Sequence, residues 1–118
     1  MNVEVTKRAL SVDEYYKMAQ VGILKPSDRV ELIQGEIIEM SPVGSKHASI
    51  VKRLARMINI WFEDKVTVGV QDPVRLNDES EPEPDISILK YRADDYLYSH
   101  PSPEDVLSII VVSDTSII

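Results

Sequence analysis

The chain has no cysteine, so neither a disulfide framework nor a thiolate metal site can contribute to its fold or chemistry. Histidine is scarce: only His47 and His100 are present, which leaves carboxylates and carbonyl oxygens as the main metal donors. Any bound metal is therefore expected to be a hard cation such as Mg²⁺ or Mn²⁺. No apolar run approaches the roughly 18 residues that span a bilayer. The charged start of the sequence also lacks the profile of a secretory signal. These two absences predict no membrane partner and a cytoplasmic location. Positive charge is in deficit as well, with 13 Lys and Arg against 20 Asp and Glu and a net charge of −7. That sign opposes binding of a polyanion through the overall field, so any contact with DNA must be made locally. Lys46, Lys52, Arg53 and Arg56 form the densest basic stretch, whereas residues 77–85 are strongly acidic.

The 118 residues match the usual size of one domain, and a single domain over 1–118 is expected. Ser11 followed by Glu14 makes a capping box, and Gly22 with Pro26 stops the pattern behind it, so a short helix is predicted over 12–20. Two β-prone runs flank Gln34-Gly35, a step at which glycine supplies the positive φ of a tight turn, and predict a hairpin over 30–40. Apolar residues Ile50, Val51, Leu54, Met57, Ile58 and Trp61 recur at helical spacing and predict the main helix over about 47–63. Strands are expected at 66–70 and 74–76 around Asp72-Pro73, then at 85–89, where apolar and polar residues alternate. The β-branched run 106–112 suits a strand buried on both faces. Residues 91–105 read as a short helix plus loop. The fold class is α/β in the α+β sense, a mixed β-sheet flanked by helices. The sequence stops at Ile118 soon after the last predicted strand, which suggests a C-terminally incomplete core with an exposed strand surface, and hence a homodimer.

Three residues stand out chemically. Asp85, in Glu83-Pro84-Asp85, opens a predicted internal strand, a rigid base for a metal ligand, although it could equally end an acidic turn. Glu31 lies inside an apolar strand, where alternation alone could turn it to solvent. His47 begins the main helix, positioned to meet a phosphate or a metal-bound water or simply to sit on the surface.

Taken in order, the strings LSVDEYY (10–16), RVELIQGEIIEMSP (29–42), His47 and EPDI (83–86) resemble the Uma-type restriction endonucleases, a branch of the PD-(D/E)XK nuclease superfamily. The resemblance runs over nearly the whole chain from about Leu10. It implies a restriction-endonuclease-like core in which carboxylates hold Mg²⁺ or Mn²⁺ to activate water against a DNA phosphodiester. Asp85 matches the family's central metal ligand, Glu31 its hairpin glutamate, a contributor to the metal site or to water positioning, and His47 a histidine typical of the family, giving Asp85, Glu31 and His47 as catalytic candidates with Asp85 and Glu31 as metal candidates.

Two departures weaken that expectation. Val111 stands where the family's second acidic ligand belongs, and the lysine that follows in the family has no counterpart before Ile118. Each charge-stabilising group of this kind is typically worth about 10² to 10³ in rate, so impaired or absent turnover is expected. Asp114 lies three residues later, and it could replace the missing acid only through a bulge or turn. The alternative is a non-catalytic truncated module of the same fold, acting through dimerisation or another partner.

Overall fold

A computed structural model of the chain describes residues 4–113. Ser11 caps helix α1 (Val12–Gln20): its side chain accepts from the Glu14 N–H, while the Glu14 carboxylate accepts from the Ser11 N–H. Strands β1 (Val30–Ile33) and β2 (Glu36–Glu39) pair antiparallel through a turn in which Gln34 and Gly35 both have positive φ, +49° and +76°. Those angles define the tight turn whose twist suits a two-residue hairpin. Helix α2 (Ser45–Phe62) follows. The remaining strands, β3 (Val66–Val70), β4 (Ile86–Lys90) and β5 (Val106–Ile110), form an antiparallel sheet in the order β3-β4-β5. The α+β class holds, with the described strands divided between this sheet and the hairpin.

The core lies where α2 crosses one face of the three-stranded sheet. Val51 and Ile58 from the helix meet Ile86 from the central strand, with Leu54, Val66, Val68, Ile88, Ile110 and Val112 packed around them. Valine and isoleucine on alternate strand positions present a continuous apolar face. The helix contributes its matching stripe at three- and four-residue spacing.

The acidic segment 77–85 forms the seam between the hairpin and the rest of the molecule. Glu81 N–H donates to the Leu32 carbonyl at 2.8 Å, Gly35 N–H to the Glu79 carbonyl at 2.7 Å and Val12 N–H to the Asp78 carbonyl at 2.6 Å. The Ser80 hydroxyl accepts from Gln34 N–H at 2.8 Å. Ser80 and Glu81 are buried as a result, and Glu81 takes the hydroxyl hydrogen bond of Tyr16.

Two expectations are corrected. Residues 74–76 are not a strand. Val74 N–H donates to the Pro82 carbonyl and Arg75 N–H to the Pro101 carbonyl. Leu76 N–H donates to the Ser80 carbonyl at 3.0 Å, but Pro82 and Pro101 have no N–H to return, so these contacts do not extend into a ladder. The run 106–112 is not buried on both faces either. β5 pairs with β4 alone among the described residues, and Leu107, Ile109 and Val111 are exposed while Ile110 and Val112 pack on the α2 side. One helix covers one face, and the opposite face of this edge strand has no covering layer among the described residues. Between β4 and β5, residues 91–105 are turns with a single 3₁₀ turn, Pro103–Asp105, capped by Ser102.

Candidate active site

Six segments converge on a cleft of about 610 Å³: the loop entering β1, the loop leaving β2, the first turn of α2, the residue after β3, the approach to β4 and the residues leaving β5. Its walls include Arg29, His47, Gln71, Glu83, Asp85 and Val112.

Asp85 sits immediately before the central strand, and its carboxylate is fixed from two sides. His47 Nε2, when it carries the proton, donates to Oδ1 at 2.9 Å, and the Val112 N–H donates to Oδ2 at 2.7 Å. Asp85's own carbonyl accepts from Gln71 N–H at 3.0 Å, which ties the end of β3 to the same point. Both side chains of the His47–Asp85 pair are largely covered, at 13% and 15% exposure, so their geometry is set by packing rather than by solvent. His47 reaches Asp85 because Gly44 starts α2 and brings the third helical residue to the cleft. That helix start has no side-chain cap and no acidic residue in its first turn, so its partial positive charge is not compensated from within the helix.

Glu31 and Glu83 form a second acidic group. Glu31 Oε2 accepts from the Glu83 N–H at 2.9 Å, which pins the segment preceding Asp85 to the hairpin. Glu83 lines the cleft, and Glu31 does not. Burial pushes the Glu83 carboxyl above the ordinary glutamate range; the charges of Glu31, Glu81 and Asp72 push it further, against a smaller pull from Arg29. Tyr15, whose hydroxyl donates to the Val30 carbonyl, is raised by burial and by the same three glutamates. Tyr16 is raised by burial and by its bond to Glu81. Like charges gathered under partial desolvation leave the site short of a cation.

The sequence-named residues are thus brought together in part: Asp85 and His47 touch, while Glu31 connects to them through the Glu83 backbone. Val111 is exposed and off the cleft wall, whereas Val112 is on it. Asp114 lies outside the described residues. Lys46, Lys52, Arg53 and Arg56 are all exposed, and none lines the cleft. Sequence reasoning passed over Glu83 and Arg29. Glu83 lay in view inside the EPD string, but nothing local distinguishes it from Glu79 or Glu81. Only the pairing of this segment with β1 turns it inward.

A hard divalent cation suits this donor set, since Mg²⁺ is usually held by one or two carboxylates together with water and substrate phosphate. Asp85 and Glu83 supply two carboxylates, and the crowding around Glu83 favours a positive charge. Among the described residues, however, no group of three His, Asp or Glu side chains converges as a ready-made metal cage.

No helix among the described residues is long and apolar enough to cross a membrane. No curated protein and no solved structure matches the chain. The profile of one protein family, Uma2, described as putative restriction endonuclease, matches residues 12–116 and so takes in the hairpin, the His47–Asp85 pair and all three strands of the larger sheet. The chain belongs to the Uma2 restriction endonuclease family.

Proposed function

We propose that the cleft is the site of a Mg²⁺- or Mn²⁺-dependent DNA phosphodiester hydrolase whose turnover is impaired. The observation that carries this reading is Asp85: a carboxylate at the start of the central strand, locked by His47 and the Val112 N–H, facing a cleft large enough for a phosphodiester. Asp85 would hold the cation with Glu83, and Glu31, assigned to the metal from sequence, would act on it by holding the Glu83 backbone in place. His47 sets the orientation of the Asp85 carboxylate and leaves the remaining lone pairs of that group for the cation. A bound divalent ion supplies activation of a water nucleophile and neutralisation of charge on the leaving oxygen. The weak point is position 111, where valine can bind no metal. One missing charged group of this kind is expected to cost about 10² to 10³ in rate.

The test is isothermal titration of Mn²⁺ into the purified chain beside Asp85→Asn. The variant keeps an oxygen acceptor for the Val112 N–H, so the fold should persist while binding is lost. Equal binding by both proteins would remove Asp85 from the metal site, and no binding by either at millimolar metal would remove the hydrolase reading.

A second reading, a non-catalytic homodimeric module, has its own support in the edge strand β5 and the residue that follows it, where Leu107, Ile109 and Val111 are exposed. Packing of this uncovered face against the same face of a second copy would cover the three side chains. Sedimentation equilibrium should then give a dimer that Ile109→Lys dissociates, and a monomer at all accessible concentrations would dismiss it.

A further inference from the structure

A phosphodiester must enter this cleft past Asp28, Glu83 and Asp85, with a net charge of −7 behind them. At the few-ångström separations inside a partly desolvated cleft, uncompensated like charges would exclude it. The basic stretch on α2 does not help, because its side chains lie outside the cleft walls. Among the described lining residues, Arg29 is the one Lys or Arg.

Its placement suits a grip on an anion. The Arg29 carbonyl accepts from Met40 N–H at 2.8 Å, just beyond the Val30↔Glu39 pair, so the backbone at 29 is fixed by the hairpin ladder. The side chain is exposed, and its one hydrogen bond among the described residues is a long one, from Nη1 to the Ser41 carbonyl at 3.4 Å. Most of the guanidinium donors are therefore available. Arg29 and Glu83 line the same cleft, so the guanidinium shares its walls with the acidic groups.

We propose that Arg29 is the phosphate-anchoring residue of the cleft, taking two non-bridging oxygens of a nucleic-acid phosphodiester on its planar fork and holding that phosphate opposite Asp85. The proposal rests on the hydrolase reading above and names the group that brings the substrate to it. Lysine would supply the charge but not the fork.

The experiment is fluorescence anisotropy of a dye-labelled short DNA duplex with Ca²⁺ present, over a salt series. The intact chain is compared with Arg29→Ala, Arg29→Gln, Arg29→Lys and Arg53→Ala, each also titrated with Mn²⁺. Arg29→Ala and Arg29→Gln should weaken DNA binding by at least about tenfold, as expected for loss of a charge-assisted pair. The salt slope should fall by about one. Arg29→Lys should recover only part of the affinity, and Mn²⁺ binding should be unchanged in all. Unchanged DNA binding in Arg29→Ala and Arg29→Gln would overturn the proposal while leaving the hydrolase reading in place. An equal loss in Arg53→Ala would overturn it by reducing the effect to overall charge. Absence of DNA binding by the intact chain with Mn²⁺ binding retained would overturn the Arg29 role alone, and absence of both would overturn it together with the hydrolase reading.

Discussion

Replacing Gly35 by alanine should be among the most damaging single-methyl changes in the molecule. Gly35 occupies the second position of the hairpin turn at φ +76°, a conformation that costs an L-residue roughly 1–2 kcal/mol. A Cβ added there would lie 2.5 Å from the Ala9 Cβ, 2.7 Å from the Ala9 Cα and 2.9 Å from the Leu10 nitrogen. Two of these are backbone atoms, and Leu10 N–H is itself bonded to the Gly35 carbonyl at 3.0 Å, so the neighbour cannot swing aside without losing that bond. Overpacking of this kind costs about 1–3 kcal/mol. The sum, about 2–5 kcal/mol, is a large share of the roughly 5–15 kcal/mol that holds a domain folded. Gly22→Ala is the control: φ is +84° there, but nothing lies within 4 Å of the new methyl, so only the backbone cost applies. Urea unfolding should show a drop in midpoint for Gly35→Ala clearly larger than for Gly22→Ala, with the slope unchanged. Equal shifts, or a loss below about 0.5 kcal/mol for Gly35→Ala, would refute the close packing of the N-terminal segment on the turn. The consequence reaches the site, because the same turn donates to the Glu79 carbonyl and its strand carries Glu31, which pins Glu83.

Two further substitutions probe the cleft. The Glu83 carboxyl titrates higher in the folded chain than in the unfolded one, so its contribution favours the fold at acid pH and is lost as pH rises through the raised value; Glu83→Gln should therefore raise the melting temperature at neutral pH and leave it nearly unchanged below the ordinary glutamate value of 4.5, and a gain independent of pH would contradict this. Continuing the Ile86↔Ile110 register by one pair sets residue 111 across from Asp85, so Val111→Glu should strengthen Mn²⁺ binding, and because Val111 is exposed it should change stability by less than about 0.5 kcal/mol. No gain in metal affinity would show that position 111 is not the vacant ligand position.

The sequence by itself determined the local elements. A capping box, a two-residue turn with glycine and a helical apolar stripe are short-range signals whose energies are settled within one or two turns of chain, and α1, the hairpin, α2 and β3 lie where those signals put them. The sequence also singled out Asp85 and His47, and the fold brings the two side chains into contact. What the tertiary structure decided was every feature that depends on partners distant in sequence. Whether 74–76 becomes a strand depends on the acceptors it meets, and two of those are Pro82 and Pro101, which return no N–H. Whether 106–112 is buried on two faces depends on how many layers cover the sheet, and a β-branched run looks the same in either case. The acidic segment shows no inward side in the sequence; β1 takes its backbone as a neighbour, which buries Glu81 and sets Glu83 on the cleft wall. Arg29 is an ordinary loop residue in sequence and comes to line the cleft only because the hairpin, the approach to the central strand and the start of α2 meet there. Periodicity and capping are properties of adjacent residues, whereas the charge balance of a cleft is a sum over segments that only folding brings together.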